Sequence, residues 1–521
     1  METLKNYVGG RWHVATSGFM ALVNPATEEP VAQASTHGID MGEVLAHARN
    51  TGGPALRALS VAQRGGLLKE MSRVLREHRD ELLDLSRLNN GSTKPDGAFD
   101  IDGATGTLAF YAHLSKSLGD QPFLVEGDGL QLARTEGFWG QHLLLPKQGV
   151  AVHVNAFNFP AWGFAEKAAC ALLAGMPLVT KPATATALVA ARAVQLILEA
   201  GVVPEGAIQL LCGSTGDLLE RLGAEDVLAF TGSADTALRL RGLPNLLAAS
   251  TRINIEADSL NAAVLAPEAE PATRDLFLKD VAREMTQKTG QKCTAVRRIL
   301  VPAEQVDAVV EALSSRLAAV VVGDPADSTV TMGPLATAQQ LRDAEAGVAE
   351  LAGEARVVCG GRRIDGVGAP AGKGYFFAPT LLIAYDSAGT QVVHDREVFG
   401  PVATVLPYDG SAGAAARLVR RGGGTLVTSV YGDDQAWVGG FLAAAGSSTG
   451  RLYWGSAGSA GDAPGSGIAM PGSLHGGPGR AGGGEELGGV VGLRPYLQRV
   501  AIQGARGAVE SLAGIVRPDA G

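Results

Sequence analysis

Between Gly149 and Ile255 the chain alternates short apolar strands with helical stretches, and this alternation constrains the fold more than any other feature. Val150–Val154, Leu178–Thr180, Ala207–Leu211 and Val227–Phe230 read as strands, with a helix from about Ala161 to Ala174 closed by Gly175 and another running to Ala200. Buried-type strands joined by crossover helices imply an α/β fold with a parallel sheet. Ligands on such sheets bind outside the carboxyl ends of the strands. The loops Asn155–Pro160, Lys181–Thr184 and Thr231–Asp235 fall at those ends.

At 521 residues the chain exceeds one compact core, so two or three domains are expected. Its formal charge of −9 argues against nucleic acid as a partner. Four cysteines lie far apart with no C-x-x-C, which implies a reducing, cytoplasmic setting. No signal peptide opens the sequence, and no apolar run reaches the ~18 residues of a membrane helix. The nine histidines are scattered without ligand spacing, so no metal site is expected.

Residues 1–30 read as an irregular arm and 41–115 as scaffold helices, with Leu68, Met71, Val74 and Leu75 on one apolar stripe. Residues 121–149 break the helical pattern. Gln131–Arg134 and Gln141–Leu145 are predicted strands of an extended arm that needs a partner to cover it. The half from 256 to 470 mixes strands and helices less regularly. Gly472–Gly489 is too rich in glycine for helix or strand, leaving a linker or a close-fitting loop near a ligand. A last strand is expected over 494–504 and a tail helix over 505–518.

Several residues carry chemistry. Cys293 follows Gly290-Gln291-Lys292 on what reads as a loop opening onto a helix, where the helix terminus would favour thiolate; a small inert cysteine is the alternative. Asn158 sits between aromatics, as an oxyanion donor or a turn asparagine. Glu256 ends an apolar stretch, so burial should raise its pKa and suit it to general base work; a solvated strand-end acid is the alternative. Lys181 at a strand end can reach a ribose or phosphate oxygen, or simply lie on the surface. Ser233, in a Thr-Gly-Ser turn opening a helix, suits a pyrophosphate. Glu397 suits ribose hydroxyls, with Phe399 flanking a ring, unless this is only a turn. The G-x-G-x-x-G dinucleotide fingerprint does not follow any strand.

In this order and spacing the pieces resemble the aldehyde dehydrogenase superfamily. The matching stretches are N-F-P (158–160), K-P-A (181–183), F-T-G-S (230–233), Glu256, G-Q-K-C (290–293), G-Y-F-F-A-P-T-L (374–381) and E-V-F-G-P-V (397–402). The resemblance implies a Rossmann-like cofactor domain over 1–255, carrying an oligomerisation arm near 121–149. It further implies an α/β catalytic domain over 256–470 and, over 471–521, a glycine-rich substrate loop with a C-terminal oligomerisation strand. It implies Cys293 as nucleophile, Glu256 as general base, and Asn158 with the Cys293 amide as oxyanion hole. Lys181, Ser233, Glu397 and Phe399 would contact the cofactor. The reaction implied is hydride transfer from a cysteine thiohemiacetal to nicotinamide, then thioester hydrolysis to the acid.

Three departures refine the expectation. Thr184 stands where many NAD-using members carry a glutamate that repels a 2′-phosphate, so NADP is expected and NAD admissible. Glu166-Lys167 replaces the usual aromatic-lysine pair; Glu166, Lys167 and Glu486 are expected to form a proton path serving Glu256, with an ordinary ion pair as the alternative. The glycine run replaces the usual substrate loop. With N-I-E-A-D-S-L-N (254–261), it resembles the branch that oxidises CoA-linked semialdehydes in aerobic benzoate degradation, whose long substrate needs a wide mouth. A homodimer acting on such a small-molecule substrate is expected, without nucleic acid or membrane. A dehydrogenase of a free semialdehyde and a cysteine acyltransferase or hydrolase are the alternatives.

Overall fold

The computed structural model describes residues 1–514. Two seven-stranded sheets carry the molecule. In the first, Arg252–Glu256, Val227–Thr231, Ala151–Val154, Leu178–Lys181 and Ile208–Leu210 lie side by side and parallel. The chain builds outward from Ala151–Val154 in one direction and then in the other. The crevice at that reversal therefore opens above its carboxyl end, where Asn155–Asn158 sit. The amino-terminal arm is less irregular than its turn signals suggest. Asn6–Val8 and Arg11–His13 extend this sheet as antiparallel edge strands, because the sheet's open edge supplies the hydrogen bonds that a solitary arm lacks.

The second sheet runs in the order Arg356–Cys359, Thr380–Ile383, Val402–Tyr408, Arg298–Pro302, Ala262–Leu265, Thr425–Tyr431, Thr449–Gly455, parallel except at the Arg356–Cys359 edge. The chain crosses between the sheets over residues 257–261, just after Glu256.

Helix Pro160–Ala174 bears Glu166 and Lys167 and starts two residues after Asn158, and its seat is tightly determined. Asp100, fully buried, accepts the amides of Trp162 (2.7 Å) and Ala161 (3.3 Å), so a carboxylate from helix Lys94–Leu114 satisfies its first turn. Gly175 ends it at φ 93° in the left-handed region, and a Cβ there would lie 1.7 Å from the Arg64 guanidinium.

A three-stranded antiparallel sheet stands apart: Leu497–Ala505, Phe138–Pro146 and Leu124–Gln131. Its first arm strand ends at Gln131 rather than beginning there, since Leu124–Gln131 pairs across to Trp139–Leu144 and the turn falls after it. Helix Arg506–Leu512 follows; the remainder of the predicted tail helix lies outside the described residues.

The glycine run departs most from expectation. Leu474–Gly476 and Glu485–Leu487 pair antiparallel as a short hairpin, with His475 opposite Glu486. Glycine enters because the turn between them presses on other backbone: a Cβ at Gly482 or Gly484 would lie 2.4 Å from the Ile255 carbonyl oxygen. Backbone hydrogen bonds between strands supply what glycine lacks in intrinsic strand preference. Gly482→Ala, at φ 104°, combines this clash with left-handed strain. We expect it to destabilise the protein by about 1–3 kcal/mol, read as a lowered denaturation midpoint.

Candidate active site

Asn158, Glu256 and Cys293, distant in sequence, line one cavity of about 550 Å³. Its wall is apolar, from Phe99, Phe159 and Trp162, and Glu166, Lys167 and His475 lie around its polar end. Glu256 reaches it from the carboxyl end of its strand, beside Thr231, whose hydroxyl lies 3.5 Å from Oε2.

Cys293 does not sit at a helix terminus. It follows a kinked turn in which Lys288, Thr289 and Gly290 all take positive φ (51°, 57° and 66°), and the chain then enters strand Arg298–Pro302. Gly290 is required, since a Cβ would lie 2.2 Å from the Gly400 oxygen. The arginines after the cysteine read as helix only in isolation; pairing with Ala262–Leu265 and Val402–Tyr408 draws them into the sheet. The two non-glycine left-handed residues cost about 1–3 kcal/mol each. They are held by Thr289 Oγ1 donating to the Gly333 oxygen (2.9 Å) and by a buried Lys292–Glu284 ion pair at 2.6 Å. Asn261 Nδ2 donates to the Cys293 carbonyl at 2.7 Å, which fixes the backbone at Cys293.

His475 completes the cluster, and sequence reasoning passed over it. It lay inside a glycine run read as a linker or a close-fitting loop near a ligand; the available signal was a single imidazole among small residues. Its Nε2 is 3.0 Å from Glu256 Oε1 and 3.7 Å from Cys293 Sγ. The two other groups brought by neighbouring elements are as close. Lys167 Nζ pairs with Glu166 at 3.0 Å and with Glu486 at 3.2 Å, with Lys167 only 2% exposed. Carboxylate oxygens of Glu166, Glu256 and Glu486 lie within 4.8 Å of one another.

Burial pushes the Cys293 thiol up, and the Glu256 charge adds to it, to about 12, with His475 opposing both. Glu256 is the opposite of what its apolar lead-in suggests. Burial alone would raise it, but His475 and Lys167 outweigh burial and hold it below the ordinary carboxylate range. Burial lowers His475, yet Glu256 and Cys293 more than reverse this, so the imidazole is held protonated. Glu486 is pushed up by burial, with Lys167 opposing in part. The resting site is therefore a neutral thiol beside an imidazolium–carboxylate pair.

Asn158 Nδ2 donates to the Gln291 carbonyl at 3.0 Å. An amide carries two hydrogens, so one remains for a ligand. Among the described residues of the run Gly472–Gly489, His475 lines this cavity, beside Gly467 and Ala469 from the preceding loop.

A second cavity, of about 1060 Å³, lies over the first sheet's far end, lined by Lys181, Thr184, Ser214, Thr36 and His37 among others. Lys181 makes no ion pair there among the described residues, and Thr184 Oγ1 donates to the Gly213 oxygen at 3.3 Å. A cation with neutral hydroxyls fits a phosphorylated ribose. Ser233 caps helix Ala234–Arg241 by accepting from the Thr236 amide, at an exposed helix start. Glu397 Oε2 accepts from the Ser259 amide at 3.2 Å. Burial, with Arg297 opposing, pushes its carboxyl up to about 7. Phe399 packs edge-on against Phe157 and under the Arg297 guanidinium, 5.2 Å away. Lys181 and Thr184 thus line a cavity other than the one that Cys293 lines.

The chain matches the model of the aldehyde dehydrogenase family over residues 12–490. It is 47% identical over 478 residues to a 3,4-dehydroadipyl-CoA semialdehyde dehydrogenase of Aromatoleum evansii, covering 91% of this chain and 93% of that one. It is 27% identical over 417 residues to the NADP(+) succinate-semialdehyde dehydrogenase GabD of Escherichia coli strain K12, covering 79% and 81%. Betaine aldehyde dehydrogenase from Staphylococcus aureus, solved with NAD+, shares the fold at TM-score 0.84 and 23% identity, over 97% of this chain and 98% of that one.

Lys167→Met leaves the Glu166 and Glu486 carboxylates buried without their cation. Removing one partner of a buried ion cluster costs about 3–5 kcal/mol. The orphaned carboxyls then bind protons more tightly folded than unfolded, so the loss should be largest above pH 7 and shrink as pH falls toward 5. Denaturant midpoints at pH 5 and pH 8 check this.

Proposed function

We propose that this chain, which belongs to the aldehyde dehydrogenase family, oxidises a CoA-linked semialdehyde to its carboxylic acid with NADP as hydride acceptor. One observation carries the reaction type: Cys293 opens into an apolar cavity beside the Glu256 carboxylate and the Asn158 amide. The 47% identity to a CoA-semialdehyde dehydrogenase supports the substrate class and, with it, a role in aerobic benzoate degradation.

Lys181, Thr184, Ser233, Glu397 and Phe399 would hold a nicotinamide dinucleotide, which would supply the hydride acceptor. The Cys293 sulfur, once deprotonated, attacks the aldehyde carbon, and Asn158 with the Cys293 amide binds the oxyanion. Loss of hydride leaves a thioester on Cys293. Glu256 then takes a proton from water, the hydroxide formed adds to the thioester carbon, and the carbon–sulfur bond breaks to release the acid and the Cys293 thiolate. A thioester destined for transfer to free CoA would need no such base, so the product is a free acid. Glu166, Lys167 and Glu486 continue from Glu256 as the route by which its proton leaves.

The domain reading stays a cofactor unit over 1–255, a catalytic unit over 256–470 and a closing segment from 471. We read the arm sheet as the seam of a homodimer. Val125, Leu130 and Phe138 expose apolar surface on it, and both outer strands present open edges. Four unpaired cysteines support a cytoplasmic setting. No helix among the described residues is long and apolar enough to cross a membrane.

A kcat/KM for the CoA-linked semialdehyde well above that for the free semialdehyde supports the substrate; equal values would overturn it. Cys293→Ala should abolish oxidation. Glu256→Gln should keep a first burst of reduced nicotinamide while steady turnover falls about 10²–10⁴-fold. Thr184→Glu sets a carboxylate against the 2′-phosphate and should cut the NADP preference about 10–100-fold, read from kcat/KM with each cofactor.

A further inference from the structure

Arg451, Arg297 and His475 are cations whose charge acts on the Cys293 sulfur, and the first two are committed elsewhere. Arg451 donates to the Ile468 and Ser466 carbonyls. Arg297 donates to the Gly400 and Lys292 carbonyls and faces Glu397. Lys167, behind Glu256, is held between Glu166 and Glu486. The third cation beside the sulfur is His475, whose ring stands between the nucleophile and the base.

The same atom, Nε2, faces both. Its single hydrogen has two acceptors, Glu256 Oε1 at 3.0 Å and Cys293 Sγ at 3.7 Å. We propose that His475 is a further catalytic residue: its Nε2–H follows the negative charge as that charge moves between Glu256 and the sulfur. This deepens the proposed reaction and rests on Cys293 being its nucleophile.

In the resting site the negative charge is on Glu256, and Nε2–H binds it. When the Sγ proton passes to Glu256, the charge moves to sulfur, and the Nε2–H bond swings to Sγ. One cation and one anion face each other before and after, so no net charge is created in a buried site. The sulfur–carbon bond then forms, and hydride departs to the nicotinamide. The neutral thioester leaves the Nε2–H to Glu256, which sheds its proton to solvent and is again a carboxylate. Glu256 accepts a proton from water, hydroxide adds to the thioester carbon, and the carbon–sulfur bond breaks. Nε2–H binds the departing thiolate, which recovers a proton from Glu256. His475 stays protonated throughout and gives up no proton.

The groups that face His475 are Glu256 from its strand, Cys293 from the nucleophile loop and Glu486 across the hairpin, with Lys167 behind Glu256. Glutamine at 475 keeps a donor of similar reach but no charge. The test is alkylation of Cys293 by iodoacetamide as a function of pH, without aldehyde or cofactor, with Cys293→Ala as the site control. In His475→Gln the alkylation rate at each pH below the midpoint should fall at least about tenfold, as the thiolate fraction falls. Turnover should fall at least about tenfold with aldehyde KM little changed. A His475→Ala chain should regain part of its alkylation rate and turnover with added imidazole, which a packing role would not give. Superimposable alkylation profiles in folded His475→Gln, or no imidazole rescue of His475→Ala, would overturn the proposal. An error in the substrate or in NADP leaves this readout untouched; persistence of oxidation in Cys293→Ala would instead remove the reaction on which it rests.

Discussion

The active site depends on one close approach of backbone to backbone. The turn between Leu474–Gly476 and Glu485–Leu487 lies on the strand that ends in Glu256. The Gly484 amide donates to the Ile255 carbonyl, and the Ala257 amide donates to the Ala481 carbonyl, both at 3.0 Å. Side chains at 482 or 484 would strike the Ile255 oxygen, so glycine is what permits the contact. The hairpin seated this way sets His475 and Glu486 opposite each other, and each reaches a partner from a different element. Without that contact Glu256 would lose its imidazolium and Lys167 one of its two carboxylates.

Charge is the second consequence of that seating. Three carboxylates, an ammonium and an imidazole gather near one thiol, in surroundings where an unpaired charge costs several kcal/mol. Each cation faces a carboxylate: Lys167 faces Glu166 and Glu486, and His475 faces Glu256. Beneath, Lys292–Glu284 and Asp100 hold the nucleophile loop and the helix start.

Much of this was legible in the chain. The strand–helix alternation after Gly149 placed Asn158, Lys181 and Ser233 at the right ends of the right strands, because local apolar runs and turn residues decide strand ends. Cys293 and Glu256 stood out through their order among the motifs. The reading failed where distant segments decide. The residues after Cys293 carry helix-compatible side chains, but two neighbouring strands claim them. The apolar residues before Glu256 predicted a raised carboxyl, but the cation that lowers it comes from 219 residues away.

By itself the sequence determined the α/β class and the order of the motifs, since both follow from local pattern. It also carried the glycines, whose purpose local pattern does not reveal. Only the tertiary structure decided which partner each buried charge has, and so its protonation. That depends on distances between segments hundreds of residues apart, and a charge in a buried cavity responds to its nearest counter-charge more than to its neighbours in the chain.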